Sequence, residues 1–110
     1  MAKNTRPGMK DIHLTEHAKI RISERAPHIP KERYKQWVYN ARYKGLSFSQ
    51  MAPELKRWVK RSAHLGNHMT GARIFQNYLF LFCGNHQHAR TLVTMYPIPE
   101  QLVTFAQVAV

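Results

Sequence analysis

The sequence predicts an α+β fold: three N-terminal helices packed on one face of a C-terminal antiparallel sheet of three or four strands. Three observations lead there. From about residue 12 to residue 66 the apolar side chains recur at helical spacing, with proline and glycine between the segments. From residue 72 to residue 99 short apolar runs alternate with tight polar turns, the pattern of a β-meander. Helices come first and strands follow, so the elements are segregated rather than alternating as in βαβ units. The 110 residues correspond to one domain over 1–110, and 44 % apolar residues allow a modest core.

Residues 1–11 are basic and contain Pro7-Gly8, which reads as a flexible arm. Thr15 is placed as a helix N-cap, with Glu16 in the first turn where the helix dipole favours an acid. That helix is expected to run to about Ala26 and to stop before Pro27. Pro30 sits at the expected first position of a second helix, which Gly45 ends. Tyr34, Trp37, Val38 and Ala41 form its inward stripe, while Lys31, Arg33, Lys35, Arg42 and Lys44 are assigned to a basic outer face. Ser49 or Ala52, ahead of Pro53, signals a third helix ending at Gly66. Leu55, Trp58, Val59 and Ser62 face inward on it, and Lys56, Arg57, Lys60 and Arg61 face outward. Trp37 and Trp58 both fall on inward stripes and read as core aromatics rather than base-stacking platforms.

Gly66 to Gly71 reads as a loop. Arg73-Ile74-Phe75 and Tyr78 to Cys83 flank Gln76-Asn77 as the arms of a hairpin, and the second arm, apolar on both faces, is expected to be central. Gly84 to Ala89 is a turn, Thr91 to Tyr96 a third strand stopped by Pro97 and Pro99, and residues 100–110 a tail or a fourth strand. A small sheet with one uncovered face and a basic rim is a common RNA platform.

Charge is the strongest functional signal. Seventeen Lys and Arg against six Asp and Glu give +11 with all seven His neutral. Such self-repulsion opposes compaction, so its usual use is a polyanionic partner whose counterions are released on binding. No apolar run is long enough to span a membrane and no leader pattern is present, so the expectation is a soluble protein of the bacterial cytoplasm. Cys83, the single cysteine, fits a reducing compartment.

The segment HAKIRISER places His17, Arg21 and Arg25 four residues apart, a stripe about 80° wide on a helix. It overlaps the inward stripe of Leu14, Ala18 and Ile22, so Arg25 faces the sheet, with Arg21 at the margin and His17 further out. One account is structural: Arg25 satisfies its guanidinium with Glu24, Glu32 or backbone carbonyls, and the other two are surface cations. The other is functional: the three line a groove where helix meets sheet and aim donors at a phosphate.

The pattern H-A-x-x-R-x-x-x-R (His17, Ala18, Arg21, Arg25) resembles the opener of small basic proteins, mostly uncharacterised, of phages and prophages in Gram-positive bacteria. There, similarly, a helical segment, a hairpin and a closing strand of the type Leu92-Val93-Thr94-Met95 follow, and the likeness covers roughly residues 12 to 99 in overall plan. The opener is also similar to that of toxin-like domains of the barnase/RelE-like class of metal-independent ribonucleases. Toxin-like relatives often carry glycine after the second arginine, where this chain has Ala26-Pro27. The resemblance implies N-terminal helices against an antiparallel sheet, no cofactor, and RNA cleavage by His, Arg, Lys and Tyr side chains.

Metal-free RNA cleavage needs a base for the 2′-hydroxyl, an acid for the leaving oxygen and cations for the phosphorane charge. His17 fits base or acid, Arg21, Arg25 and Arg73 fit phosphate clamps, and His88 a second proton group. Tyr96, Tyr78 and Thr94 fit hydrogen bonding or base stacking, against the alternative of ordinary sheet packing. Lys19, Arg33, Arg42, Lys56, Lys60 and Arg61 are the candidate contacts to nucleic acid. Metal is disfavoured: Cys83, His86 and His88 lack a fourth ligand, and Gly66 breaks the helix that would align His64 with His68.

Two functional readings follow. One is a small metal-independent endoribonuclease of toxin-like type. The other is a non-enzymatic phage accessory protein that binds nucleic acid or blocks a host defence complex. The partners implied are RNA or another nucleic acid, with a host protein complex or cognate antitoxin as further candidates, and no membrane.

Overall fold

The computed structural model describes residues 11–63, 71–83 and 91–106. The elements run β1 (His13–Leu14), α1 (Glu16–Arg25), α2 (Tyr34–Lys44), β2 (Leu46–Ser47), α3 (Pro53–Ala63), β3 (Ala72–Phe75), β4 (Tyr78–Cys83), β5 (Thr91–Pro97) and α4 (Val103–Ala106). Short 3₁₀ turns at Lys31–Arg33, Phe48–Gln50 and Glu100–Leu102 precede α2, α3 and α4. No helix among the described residues is long and apolar enough to cross a membrane.

Thr15 caps α1 as its residue type dictates: its hydroxyl accepts from the Ala18 N–H at 3.0 Å. The helix closes at Arg25, and the Ala26 N–H returns to the Ile22 carbonyl just before Pro27. Pro30 lies at the cap of the Lys31–Arg33 turn with φ −66°, and α2 proper starts at Tyr34, later than the proline signal placed it. Gly45 ends α2 in extended backbone. A Cβ there would stand 2.4 Å from the Ala41 carbonyl oxygen and 3.0 Å from that of Ile74, so close approach, not a left-handed turn, requires glycine. Gln76 and Asn77 have φ of 52° and 69°, the pair of left-handed residues that a two-residue hairpin joining β3 and β4 needs.

The sheet differs from the expected meander. Among the described residues it has five strands in the order β1-β5-β4-β3-β2 and is mixed, because β1 runs parallel to β5. The two extra strands are two residues each, too short to carry a period, and both fall within the segment read as helical. Residues 100–106 form the 3₁₀ turn and α4, docked against the second core, and not a strand. Residues 1–10 and 107–110, the Gly66 helix stop, most of the 66–71 loop and the 84–89 turn lie outside the described residues.

The helices also do not share one face. Phe80 and Phe82 of β4 point into a core with α1 and α2, where the Trp37 ring meets Phe80 edge-on at 4.9 Å. Leu79 and Leu81 point the other way, into a second core with Leu55 and Val59 of α3 and with α4 packed at its margin. The physical reason is β4 itself: a strand apolar on both faces demands cover on both. The sheet therefore has no open face over β4, and the expected exposed RNA platform is absent there. Between Leu81 and Phe82 the β4–β5 register shifts, skipping Val93, which is 38 % exposed.

Candidate functional site

Of the stripe His17, Arg21, Arg25, it is Arg25 that reaches β5. β1 covers only Thr91 and Leu92, so the rest of the β5 edge needs other partners. The Thr15 N–H donates to the Leu92 carbonyl at 3.3 Å. Arg25 extends this cover: its Nη1 donates to the Met95 carbonyl at 2.6 Å, and its guanidinium carbon lies 4.9 Å from the Tyr96 ring centroid. Tyr78 donates its hydroxyl to the Arg25 carbonyl at 3.2 Å. Arg21 points outward, donating from Nη1 to Glu24 at 2.9 Å and from Nε to His17 Nε2 at 3.2 Å. So His17, Arg21, Arg25 and Tyr96 gather at one sheet edge, and both arginines there hold protein groups.

Arg73 does not join them. It pairs with Phe80, and Phe80 with Met95, so these three residues form one row across the sheet. The fully buried Phe80 separates Arg73 from the Met95–Arg25 contact, with about 10 Å between the outer strands of the row. His17, Arg21 and Arg25 on one side and Arg73 on the other therefore do not line one cleft; the core divides them.

Arg73 belongs to a second cluster at the opposite sheet edge. Its Nε donates to the Arg42 carbonyl at 3.2 Å and its Nη1 to the Ala72 carbonyl at 2.9 Å. Arg42, assigned by the sequence to an outer face, is only 5 % exposed, and its guanidinium carbon is 5.1 Å from the Tyr43 ring centroid. Burial first, and the positive charge of Arg42 second, push Arg73 down to a pKa of about 10, while Tyr43 pulls the other way. The two arginines, with Tyr43, Lys44, Gly45, Leu46, Ser47 and Gln50, line a cleft of about 420 Å³. Lys44, Gly45, Ser47 and Gln50 were not singled out by the sequence as site residues, since no spacing links a helix end to a two-residue strand.

The remaining candidates are dispersed. Lys19 pairs with Glu16 at 3.3 Å and borders a groove of about 790 Å³ between α1 and the start of α2, whose rim also carries Glu32, Lys31 and Lys35. Arg33 is exposed beside the Trp37–Gln76 contact, in a third cleft of about 370 Å³. Lys56 lies 5.6 Å from the Phe48 ring centroid, and Lys60 and Arg61 are exposed on the outer side of α3. Tyr78, half-buried, packs edge-on against Trp37 at 5.4 Å and stacks with His28 at 6.3 Å, and Thr94 is 8 % exposed. His88 and His86 lie outside the described residues. Cys83 is exposed at the end of β4, and among the described residues no three potential metal ligands come together.

Comparisons of the chain with protein-family models, with curated proteins and with solved structures find no match.

Proposed function

We propose that this protein binds RNA through its phosphates, using the basic outer sides of α2 and α3. The observation that carries this reading is the distribution of charge. Both described ion pairs, Lys19–Glu16 and Arg21–Glu24, are on α1. Lys31, Arg33, Lys35 and Lys44 stand exposed along α2 and its preceding turn, and Arg57, Lys60 and Arg61 along α3, without a described acidic partner. Cations displayed in this way release counterions when they meet a polyanion, which supplies most sequence-independent affinity. RNA rather than DNA is favoured by the likeness of the opener to ribonuclease-type domains.

Fluorescence anisotropy with a single-stranded RNA and a duplex DNA of equal length tests this. The expected result is salt-sensitive binding of RNA. Failure to bind RNA at low salt overturns it.

A second reading, the metal-independent endoribonuclease, is favoured by one observation: His17 Nε2 and Arg21 Nε are 3.2 Å apart on an exposed helix face beside Arg25 and Tyr96. It ranks second because Arg73 is remote and Arg21 and Arg25 bind protein groups. It predicts cleavage in EDTA with 2′,3′-cyclic phosphate ends. Total RNA left intact across a wide pH range removes it and leaves the binding reading standing.

A further inference from the structure

We propose that the cleft between the end of α2 and the β2–β3 edge is a phosphate site, with Arg73, Arg42 and Lys44 supplying charge and Ser47 and Gln50 neutral polar contacts. The inference rests on the RNA-binding reading for the source of the phosphate, but the site is defined by its own geometry.

Its lining separates it from the other clefts. The larger α1–α2 groove carries Glu16 and Glu32 among its lysines and so presents both signs. Among the described residues that line it, the Arg42–Arg73 cleft has three cations and no carboxylate. Two of those cations are set deep: Arg42 is nearly buried, and Arg73 is braced by main-chain oxygens of Arg42 and Ala72 on either side. A fork whose plane is fixed in this way loses little further rotamer freedom on meeting an anion. Placing two guanidiniums together in a partly desolvated wall is costly, and the lowered pKa of Arg73 expresses that cost. A phosphate reverses its sign, since an anion there favours the charged form of both arginines.

The location suits the larger reading. The cleft sits where the basic end of α2 turns through β2 towards α3, so it lies on the path between the two cationic outer faces. Gly45 lets the backbone fold tightly against Ala41 and Ile74 at that point, which forms the wall. At about 420 Å³ the cleft admits a phosphate with its sugar. The phosphate comes either from within an RNA strand or from a terminal monoester, and both share the same oxyanion chemistry.

Gln50→Glu is the discriminating variant. The Gln50 Oε1 accepts from the Ser47 N–H at 3.0 Å, a contact that a glutamate preserves in the capping-box arrangement, while its charge occupies the cleft. Thermal unfolding is measured with inorganic phosphate and with chloride at equal ionic strength, and RNA affinity with 5′-phosphorylated and 5′-hydroxyl oligonucleotides of one sequence. The expected result is a phosphate-specific rise in Tm for the native chain, absent in Gln50→Glu, and RNA affinity weakened about tenfold by the substitution. Weakening confined to the 5′-phosphorylated RNA identifies a terminal phosphate, and equal weakening of both identifies the backbone. RNA binding that neither phosphate nor Gln50→Glu disturbs overturns the phosphate site and leaves the RNA reading intact. A phosphate effect lost in Gln50→Glu, without RNA binding by the native chain, upholds the site and overturns the RNA reading.

Discussion

Arg25 and Met95 are joined across the open edge of β5 by a 2.6 Å bond from guanidinium to carbonyl. The arginine of the opener that faces the sheet thus serves as an edge cover, continuing where the two-residue strand β1 stops. Arg25→Met removes a charge-assisted bond and leaves a part-buried carbonyl short of a partner. It is expected to cost about 1.5–3 kcal/mol, read by urea unfolding. RNA affinity should stay within about twofold, because the substitution leaves α2 and α3 untouched. A neutral effect on stability would remove Arg25 from the scaffold.

His17 and Arg21 behave differently because they are exposed. The Arg21–Glu24 pair has side chains 33 % and 53 % accessible, so Arg21→Ala is expected to cost less than about 1 kcal/mol. His17→Ala should likewise leave the unfolding midpoint nearly unchanged. If the native chain cuts RNA in EDTA, His17→Ala should abolish cutting in this folded background. Cleavage that survives the substitution would exclude His17 from the chemistry.

Gly45→Ala tests the close approach of α2 to β3. The added Cβ meets backbone oxygens of Ala41 and Ile74, neither of which is the end of a flexible side chain. A loss of about 1–3 kcal/mol is expected by chemical denaturation. A stable Gly45→Ala protein would contradict the packing of the β2 edge.

The alkaline limb of the stability curve reports on Arg73. Its folded pKa is lowered to about 10, below its value in the unfolded chain. Below about 10 both states hold the proton and the burial cost is fully present. As pH rises through 10 the folded state releases it first, the unfolded state binds more protons, and this residue's contribution to stability rises. The difference in unfolding free energy between the native chain and Arg73→Met is therefore expected to shift in favour of the native chain between pH 9 and pH 11. A difference that stays flat across that window would show that Arg42 and burial do not burden Arg73.

The legibility of this fold in the sequence follows the length of each signal. Thr15, Pro27 and the Gln76-Asn77 pair act through local backbone chemistry, and each stands where its residue type places it. β1 and β2 are invisible to periodicity because two residues define no period; they exist through the edges of β5 and β3. Helical spacing identified which side of α3 is apolar but not which sheet face receives it. The two-sided apolarity of β4 held that information, in Leu79 and Leu81 as much as in Phe80 and Phe82. Arg42 shows a conflict between pattern and residue type. It follows Val38 by four residues on the buried stripe, yet its charge placed it outside. The arginine column on α1 was visible, but its partner at Met95 lies 70 residues away and no local pattern connects them.

The most direct test of the account is the affinity for a single-stranded RNA measured as a function of salt, for the native chain and for a variant with Arg57→Gln, Lys60→Gln and Arg61→Gln on α3. The native chain should lose affinity linearly in log–log form, with a slope of about −0.7 per phosphate contacted, and the variant's slope should be shallower by about 2. RNA affinity that is independent of salt, or a slope unchanged by removing three exposed cations, would contradict it.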